Sequence, residues 1–224
     1  MKFISEILYE DNDIIVCRKE SGVPVQTNKG SAQDMVSYLK NYRAENHEVP
    51  EIFLIHRLDQ PVEGIMVFAK TKAAATNLSS QFQQKNIDKY YLAVADSVID
   101  HEKGTLIDYL KKDGKANTSS VVTNGADGAK FAKLAYQVLE CKNDRTLVEI
   151  KLETGRHHQI RVQMSHAGYP ICGDRKYNNA CNDAYMPIAL CAFKLKFKHP
   201  KTKKDMEFTR VPKGEIFQEF RINR

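Results

Sequence analysis

Two stretches of the chain carry side chains able to do covalent or proton-transfer chemistry. In residues 55–70, IHRLDQPVEGIMVFAK, an apolar run leads into His56-Arg57-Leu58-Asp59, turns through Pro61 and Gly64, and re-enters an apolar run. A carboxylate placed where a strand leaves the core sits on a scaffolded loop, a usual position for a nucleophile or base. The same Asp59 is also suited to an Asx turn ahead of Pro61. The second stretch, residues 152–177, reads LETGRHHQIRVQMSHAGYPICGDRKY. A helix there places Ile160 and Met164 on one face and His158, Arg161 and Ser165 on another. Arg161 then points towards a common site while the apolar face holds the helix to its support. Standing alone, it equally suits a surface ion pair.

The elements that must position these residues are mostly strands. Apolar or alternating runs predict strands over residues 13–18, 51–55, 65–69, 89–95, 135–140 and 145–153. Three helices are expected. One covers residues 31–42, capped by Ser31. The next covers 72–85, capped by Thr71, with Ala75, Leu78 and Phe82 on one face. The third covers 156–167, stopped by Gly168. The polar, Gly-rich residues 111–130 read as a surface loop or irregular hairpin. Many strands with few helices predict an α+β fold on a largely antiparallel sheet. With no internal repeat or Pro/Ser-rich linker, residues 1–224 are expected to form one domain without a separate N-terminal module.

Composition narrows the class. The chain has 224 residues, with 34 Lys plus Arg against 28 Asp plus Glu, a net charge of +6. At 42% hydrophobic residues it can bury a core, so global disorder is excluded. No run reaches the roughly 18 apolar residues of a membrane span, and the start MKFISEILYEDND lacks a signal core. Five scattered cysteines suit a reduced, cytoplasmic setting. Nucleotide-binding G-x-x-x-x-G-K-[ST] and G-x-G-x-x-G loops, C-x-x-C, H-E-x-x-H and G-x-S-x-G are all missing. His157, His158 and His166 with Cys172 and Cys181 match no common zinc spacing. Lys194, Lys196 and Lys198 share one strand face if Phe193, Leu195 and Phe197 face inward. That stripe suits either a phosphate backbone or a solvated, aggregation-resistant edge.

The ordered motifs resemble those of the RluA-type RNA pseudouridine synthases. The matching residues are His56-Arg57-Leu58-Asp59 with Gly64 and Ala69-Lys70, then Lys89-Tyr90-Tyr91-Leu92-Ala93. They continue with Glu153-Thr154-Gly155-Arg156-His157-His158-Gln159-Ile160-Arg161-Val162 and Gly168-Tyr169-Pro170-Ile171-Cys172-Gly173-Asp174-Arg175-Lys176-Tyr177. Ser21-Gly22-Val23-Pro24-Val25 and Phe197-Lys198-His199-Pro200-Lys201-Thr202 resemble the family's flanking motifs. Three positions depart from the pattern. Val62 and Glu63 stand where Thr-Ser is usual, and Cys191 replaces a His. A carboxylate at Glu63 so near Asp59 is expected to disfavour a second negative charge or repel a phosphate.

The resemblance implies a pseudouridine synthase fold and an isomerase that breaks the N1–C1′ bond of a flipped-out uridine and rejoins the uracil through C5. It implies Asp59 as nucleophile, Arg161 as its ion-pair partner and Tyr91 stacking on the uracil and assisting removal of the C5 proton. Arg57 would contact a phosphate or fill the gap left by the base, with His56, Arg156 and His158 also on the substrate-binding side. It implies no metal, nucleotide or organic cofactor, a structured ribosomal or transfer RNA as partner, no membrane, and a monomer. A catalytically silent RNA-binding relative is the alternative. A small-molecule glycosidase using Asp59 with Glu63 leaves the ordered motifs unexplained.

Overall fold

The computed structural model describes residues 6–27, 33–181 and 186–222. In chain order the elements are β1 (Glu6–Glu10), β2 (Ile14–Lys19), α1 (Met35–Glu45), β3 (Phe53–Leu54), β4 (Glu63–Ala69), α2 (Lys72–Gln83) and β5 (Asp88–Ala95). There follow β6 (Lys103–Asp113), β7 (Thr118–Val122), β8 (Lys130–Lys142), β9 (Arg145–Leu152), α3 (Gln159–His166), β10 (Leu190–Lys198), β11 (Asp205–Thr209) and a 3₁₀ turn, Glu215–Glu219. The architecture is α+β, as the strand-rich pattern predicts. Two compact units form, one from residues 1–87 and 192–210, the other from 88–191 and 211–224.

In the first unit the strands run β1-β2-β4-β10, with β3 beside β4 and β11 beside β10. β2 and β4 are buried from end to end. That burial on both faces is why IIVC and IMVFA are continuous apolar runs rather than alternating ones. They pair antiparallel, with Arg18 opposite Ile65 and Lys19 opposite Gly64. α2 begins as expected: Thr71 Oγ1 accepts the Ala74 N–H at 3.2 Å. It buries Ala74, Leu78 and Gln81, so its inner face is turned slightly from the expected one, with Ala75 and Phe82 only partly buried. Gln81 explains the turn. Its side-chain amide bonds both backbone groups of Lys198, at 2.7 and 3.0 Å, a fixed partner that periodicity does not register. α1 starts later than expected. Ser31 lies outside the described residues, and Asp34 is the cap, accepting from Ser37 N at 2.7 Å.

The second unit orders its strands β5-β9-β8-β6-β7, every pair antiparallel. Much of the expected 111–130 loop is regular strand. β6 and β7 form a hairpin with Tyr109 opposite Val122 and Asp113 opposite Thr118. Asp113 Oδ1 takes the N–H groups of Lys115 and Ala116, closing the turn. The expected helix over 156–167 is shorter. His158 adopts a left-handed conformation (φ 52°), and α3 begins at Gln159. Gln159 Oε1 accepts from Arg156 N (3.0 Å) and Thr154 Oγ1 (2.8 Å), folding the preceding residues into a turn. His158 therefore precedes the helix instead of sharing a face with Arg161. Val162 of α3 packs with Leu110 and Ala132, and Val121 and Tyr177 close this small core.

Candidate active site

Asp59 is half-buried on the segment joining β3 to β4. Its carbonyl accepts the Val62 N–H at 3.0 Å, so residues 59–62 make a tight turn. That turn is laced to the end of β2. Lys19, fully buried, donates from Nζ to the carbonyls of Gln60 (2.8 Å), Val23 (2.8 Å) and Glu20 (3.1 Å). Gly22 N donates to Gln60 O (3.0 Å), Gln60 Nε2 to Gly22 O (2.9 Å) and Ser21 Oγ to Pro61 O (2.7 Å). The Ser21–Pro24 motif thus serves as the clasp of the Asp59 loop. Burial pushes the Lys19 ammonium down to about 7, against the opposing fields of Asp59, Glu63 and Glu20.

Val62 and Glu63 are both absorbed into this unit, at 2% and 5% exposure. The Glu63 carboxylate accepts a hydrogen bond from the Arg18 guanidinium, itself buried. The expected repulsion by a bare second carboxylate is thereby corrected: the charge is matched from the neighbouring strand. Gly64 has a specific reason to be glycine. Its φ is 140°, and a Cβ there would lie 2.5 Å from Ala192 O on β10. His56 accepts the Val67 N–H at Nε2 (3.2 Å) and stacks on Phe82 with ring centroids 4.8 Å apart. Those contacts make it a brace for β4. Arg57, beside it, is exposed.

Tyr91, Arg156, His158 and Arg161 belong to the second unit. Tyr91 lies on β5, 8% exposed and opposite Ile150. Arg161, buried on α3, makes a bidentate ion pair with Asp174: Nε to Oδ2 at 2.8 Å and Nη2 to Oδ1 at 2.7 Å. Its Cζ lies 5.1 Å from the centre of the Tyr177 ring. The Tyr177 hydroxyl contacts His158 Nδ1 at 2.7 Å and accepts the Ser119 N–H at 2.7 Å. His158 stacks on His157 at 3.8 Å, and His157 Nδ1 lies 2.9 Å from Ser119 Oγ. Arg156 is exposed, with its Nε donating to Phe131 O at 2.8 Å. His56, Arg57 and Asp59 thus gather on one loop, while His158 and Arg161 share the Tyr177 network. Sequence reasoning gave no role to Lys19, Asp174 or Tyr177. The last two lay in the quoted G-D-R-K-Y motif, which was the available signal.

The lysine stripe lies as expected, with Phe193, Leu195 and Phe197 buried. Two of its lysines face acids across β11: Lys196 pairs with Glu207 (2.8 Å) and Lys198 with Asp205 (2.7 Å). Among the described residues one group has metal-competent spacing, Asp11, Asp13 and His199. His199 Nδ1 accepts the N–H groups of Lys201 and Thr202, which leaves the proton on Nε2 facing Asp11 Oδ2 at 2.7 Å. Asp11 also takes the N–H groups of Asp13 and Ile14 and the Tyr9 hydroxyl. These atoms form a hydrogen-bonded clasp. No helix among the described residues is long and apolar enough to cross a membrane.

The chain belongs to a known family. Residues 13–166 match the family model described as RNA pseudouridylate synthase, and the chain is a member of that family, of the RluA type. It is 35% identical over 207 residues to an uncharacterised RNA pseudouridine synthase of Bacillus subtilis, covering 91% of this chain and 67% of that protein. It is 38% identical over 173 residues to ribosomal large subunit pseudouridine synthase D of Pseudomonas aeruginosa, covering 77% of this chain and 53% of the relative. The chain thus spans about half to two thirds of these relatives' lengths. Among solved structures, human RNA pseudouridylate synthase domain containing 4 superimposes with a TM-score of 0.80 at 23% identity, over 95% of this chain and 90% of that one. Human RNA pseudouridylate synthase domain containing 1 gives 0.77 at 25% identity, over 93% and 84%.

Proposed function

We propose that this chain isomerises a uridine of structured RNA to pseudouridine, with Asp59 as the nucleophile. The observation that carries the reading is the Asp59 turn, clasped by Lys19, Gly22 and Ser21 and flanked by a charge-matched Glu63, in a chain that belongs to the pseudouridylate synthase family. A carboxylate held by its backbone and still half-exposed is pre-aimed for attack. Attack at C1′ or at C6 of the uracil both lead to cleavage of the N1–C1′ bond. The uracil turns, C5 bonds to C1′, and the C5 proton leaves as N1 gains one, so atoms and charge balance without a co-reactant. Arg161 is proposed as the guanidinium that partners Asp59 in the reaction. Tyr91 stacks on the uracil and helps remove the C5 proton.

The target base must be flipped out of its stack, at a cost of a few kcal/mol. Arg57, exposed two residues before Asp59, contacts the backbone or fills the vacated space. Arg156 and His158, which precede Arg161 in the same motif, and His56 are the residues proposed to bind substrate beside Arg57. Relatives named for the ribosomal large subunit favour ribosomal RNA as the substrate. The protein works as a cytoplasmic monomer in this reading. The Val62-Glu63 pair is the feature that favours a silent RNA-binding relative. The Arg18 partner of Glu63 supports an active enzyme instead. The test is tritium release from RNA carrying [5-³H]uridine, beside a filter-binding titration. Wild type is expected to release tritium. Asp59→Asn is expected to release none while binding RNA within about threefold of wild type. Binding without release by wild type, on every ribosomal and transfer RNA tried, overturns the reading.

A further inference from the structure

The guanidinium of Arg161 is held by groups that the reaction itself does not require. We infer that Asp174 and Tyr177 are positioning residues: they fix the aim of Arg161 for the reaction. The inference rests on the proposed function and extends it to two residues outside the reacting set.

An arginine side chain has several rotatable bonds, and an ion pair made by one end of it is easily lost to rotamer freedom. Here that freedom is removed. Asp174 takes Nε and Nη2 together, a fork-to-fork geometry that fixes the guanidinium plane as well as its position. The Tyr177 ring lies against the guanidinium and blocks rotation out of that plane. Both partners are themselves immobilised. The Asp174 carboxylate is fully buried and also accepts the Lys176 N–H at 3.1 Å. The turn that delivers it needs Gly173, since a Cβ there would sit 2.3 Å from Pro187 O. Tyr177 is tied at its hydroxyl to Ser119 N and His158 Nδ1, and at its carbonyl to Ser165 Oγ at 2.6 Å. Burial of a paired Asp and Arg is costly unless geometry is good, and by itself argues weakly for stability. A specific orienting role accounts for it better.

The experiment compares wild type, Asp174→Asn, Tyr177→Phe, Arg161→Met and the double variant Arg161→Met/Asp174→Asn on one RNA. The readouts are kcat from tritium release, RNA affinity and melting temperature. Asp174→Asn is expected to lower kcat at least 10-fold with RNA affinity within twofold. Tyr177→Phe, which keeps the ring, is expected to lose less than fivefold. The double variant should be no less active than Arg161→Met alone, since Asp174 acts only through Arg161, and should melt higher than either single variant. Multiplicative loss in the double variant overturns the inference. So does a drop in activity that follows melting temperature, or one carried by RNA affinity rather than by kcat. Wild type active and Asp174→Asn unimpaired sinks the inference alone, whereas wild type inactive on every RNA sinks the proposed function and this inference with it.

Discussion

Replacing Lys19 with Met should change how the protein's stability depends on pH. The side chain is fully buried and its three N–H donors meet three carbonyls, so methionine keeps most of the volume and loses the charge and the bonds. In the folded chain burial holds the ammonium at about 7, against a free value of 10.5. Below pH 7 both states carry the proton, and folding bears the full cost of burying the charge. Between pH 7 and 10.5 the unfolded chain binds the proton and the folded chain does not, so stability must rise with pH. The whole shift, 10.5 − 7 = 3.5 units at 1.36 kcal/mol each, is about 5 kcal/mol. Integrating the same two values from pH 7 to pH 9 leaves about 2 kcal/mol. Urea titrations followed by far-ultraviolet circular dichroism, at pH steps over that range, measure it for wild type and variant. Wild type should gain about 2 kcal/mol more than Lys19→Met between pH 7 and 9. Near pH 9 the variant still saves about 2 kcal/mol, the cost of deprotonating Lys19 on folding, and that saving is set against the carbonyls it leaves without a donor. Parallel stability curves for the two proteins would refute the assignment of a depressed Lys19.

Other consequences follow from the same geometry. Breaking the buried Arg18–Glu63 pair by Glu63→Gln or Arg18→Met should cost about 3–5 kcal/mol in urea unfolding, and removing both charges together should restore most of it. Additive losses would contradict the pairing. Changing Lys194, Lys196 and Lys198 to Ser should reduce the salt slope of RNA binding by less than about 1, because two of the three already face acids. A reduction near 3 would make the stripe a phosphate track. Cys172 is pushed up to about 12 by burial and then by Asp96, whereas Cys141 is exposed. Iodoacetamide near neutral pH should therefore label Cys141 and spare Cys172 in the folded protein, as peptide mass spectrometry would report.

Sequence reasoning reached the parts of the site whose cause is local. Asp59 between two apolar runs reads as a loop carboxylate because strand burial and turn chemistry act over a few residues. Thr71 before an amphipathic segment reads as a cap for the same reason, and α2 begins where that signal puts it. Long-range causes were invisible. Lys19 follows IIVCR and reads as the polar exit of a strand. Its burial depends on carbonyls at residues 20, 23 and 60, the last brought in by the β2–β4 pairing. α3 was overextended because residues 156–158 continue a helical pattern, while the side chain of Gln159 bonds Arg156 and Thr154 and stops it. Residues 111–130 read as a loop or irregular hairpin; the hairpin is there, but Gly and Ser content masks its regularity, since the Thr118–Val122 strand buries Ser119 and keeps its pairing register.

The departures at Val62 and Glu63 show how the fold tolerates a charged residue beside the Asp59 turn. A lone buried carboxylate would either take a proton or unfold its surroundings. Arg18, on the strand paired with β4, meets it instead, so the added negative charge arrives with a positive one. Lys19, the next residue, points to the opposite side of the strand, by the two-residue alternation, and clasps the Asp59 turn. Two adjacent cations on one strand end therefore serve two acids, one buried and one half-exposed. Removing Arg18 alone would leave Lys19 beside two carboxylates and raise its pKa by strengthening the uncompensated negative field. The pH-dependent gain that Lys19 imposes should shrink in Arg18→Met, and an undiminished gain would show that the two ends of the strand are electrostatically independent.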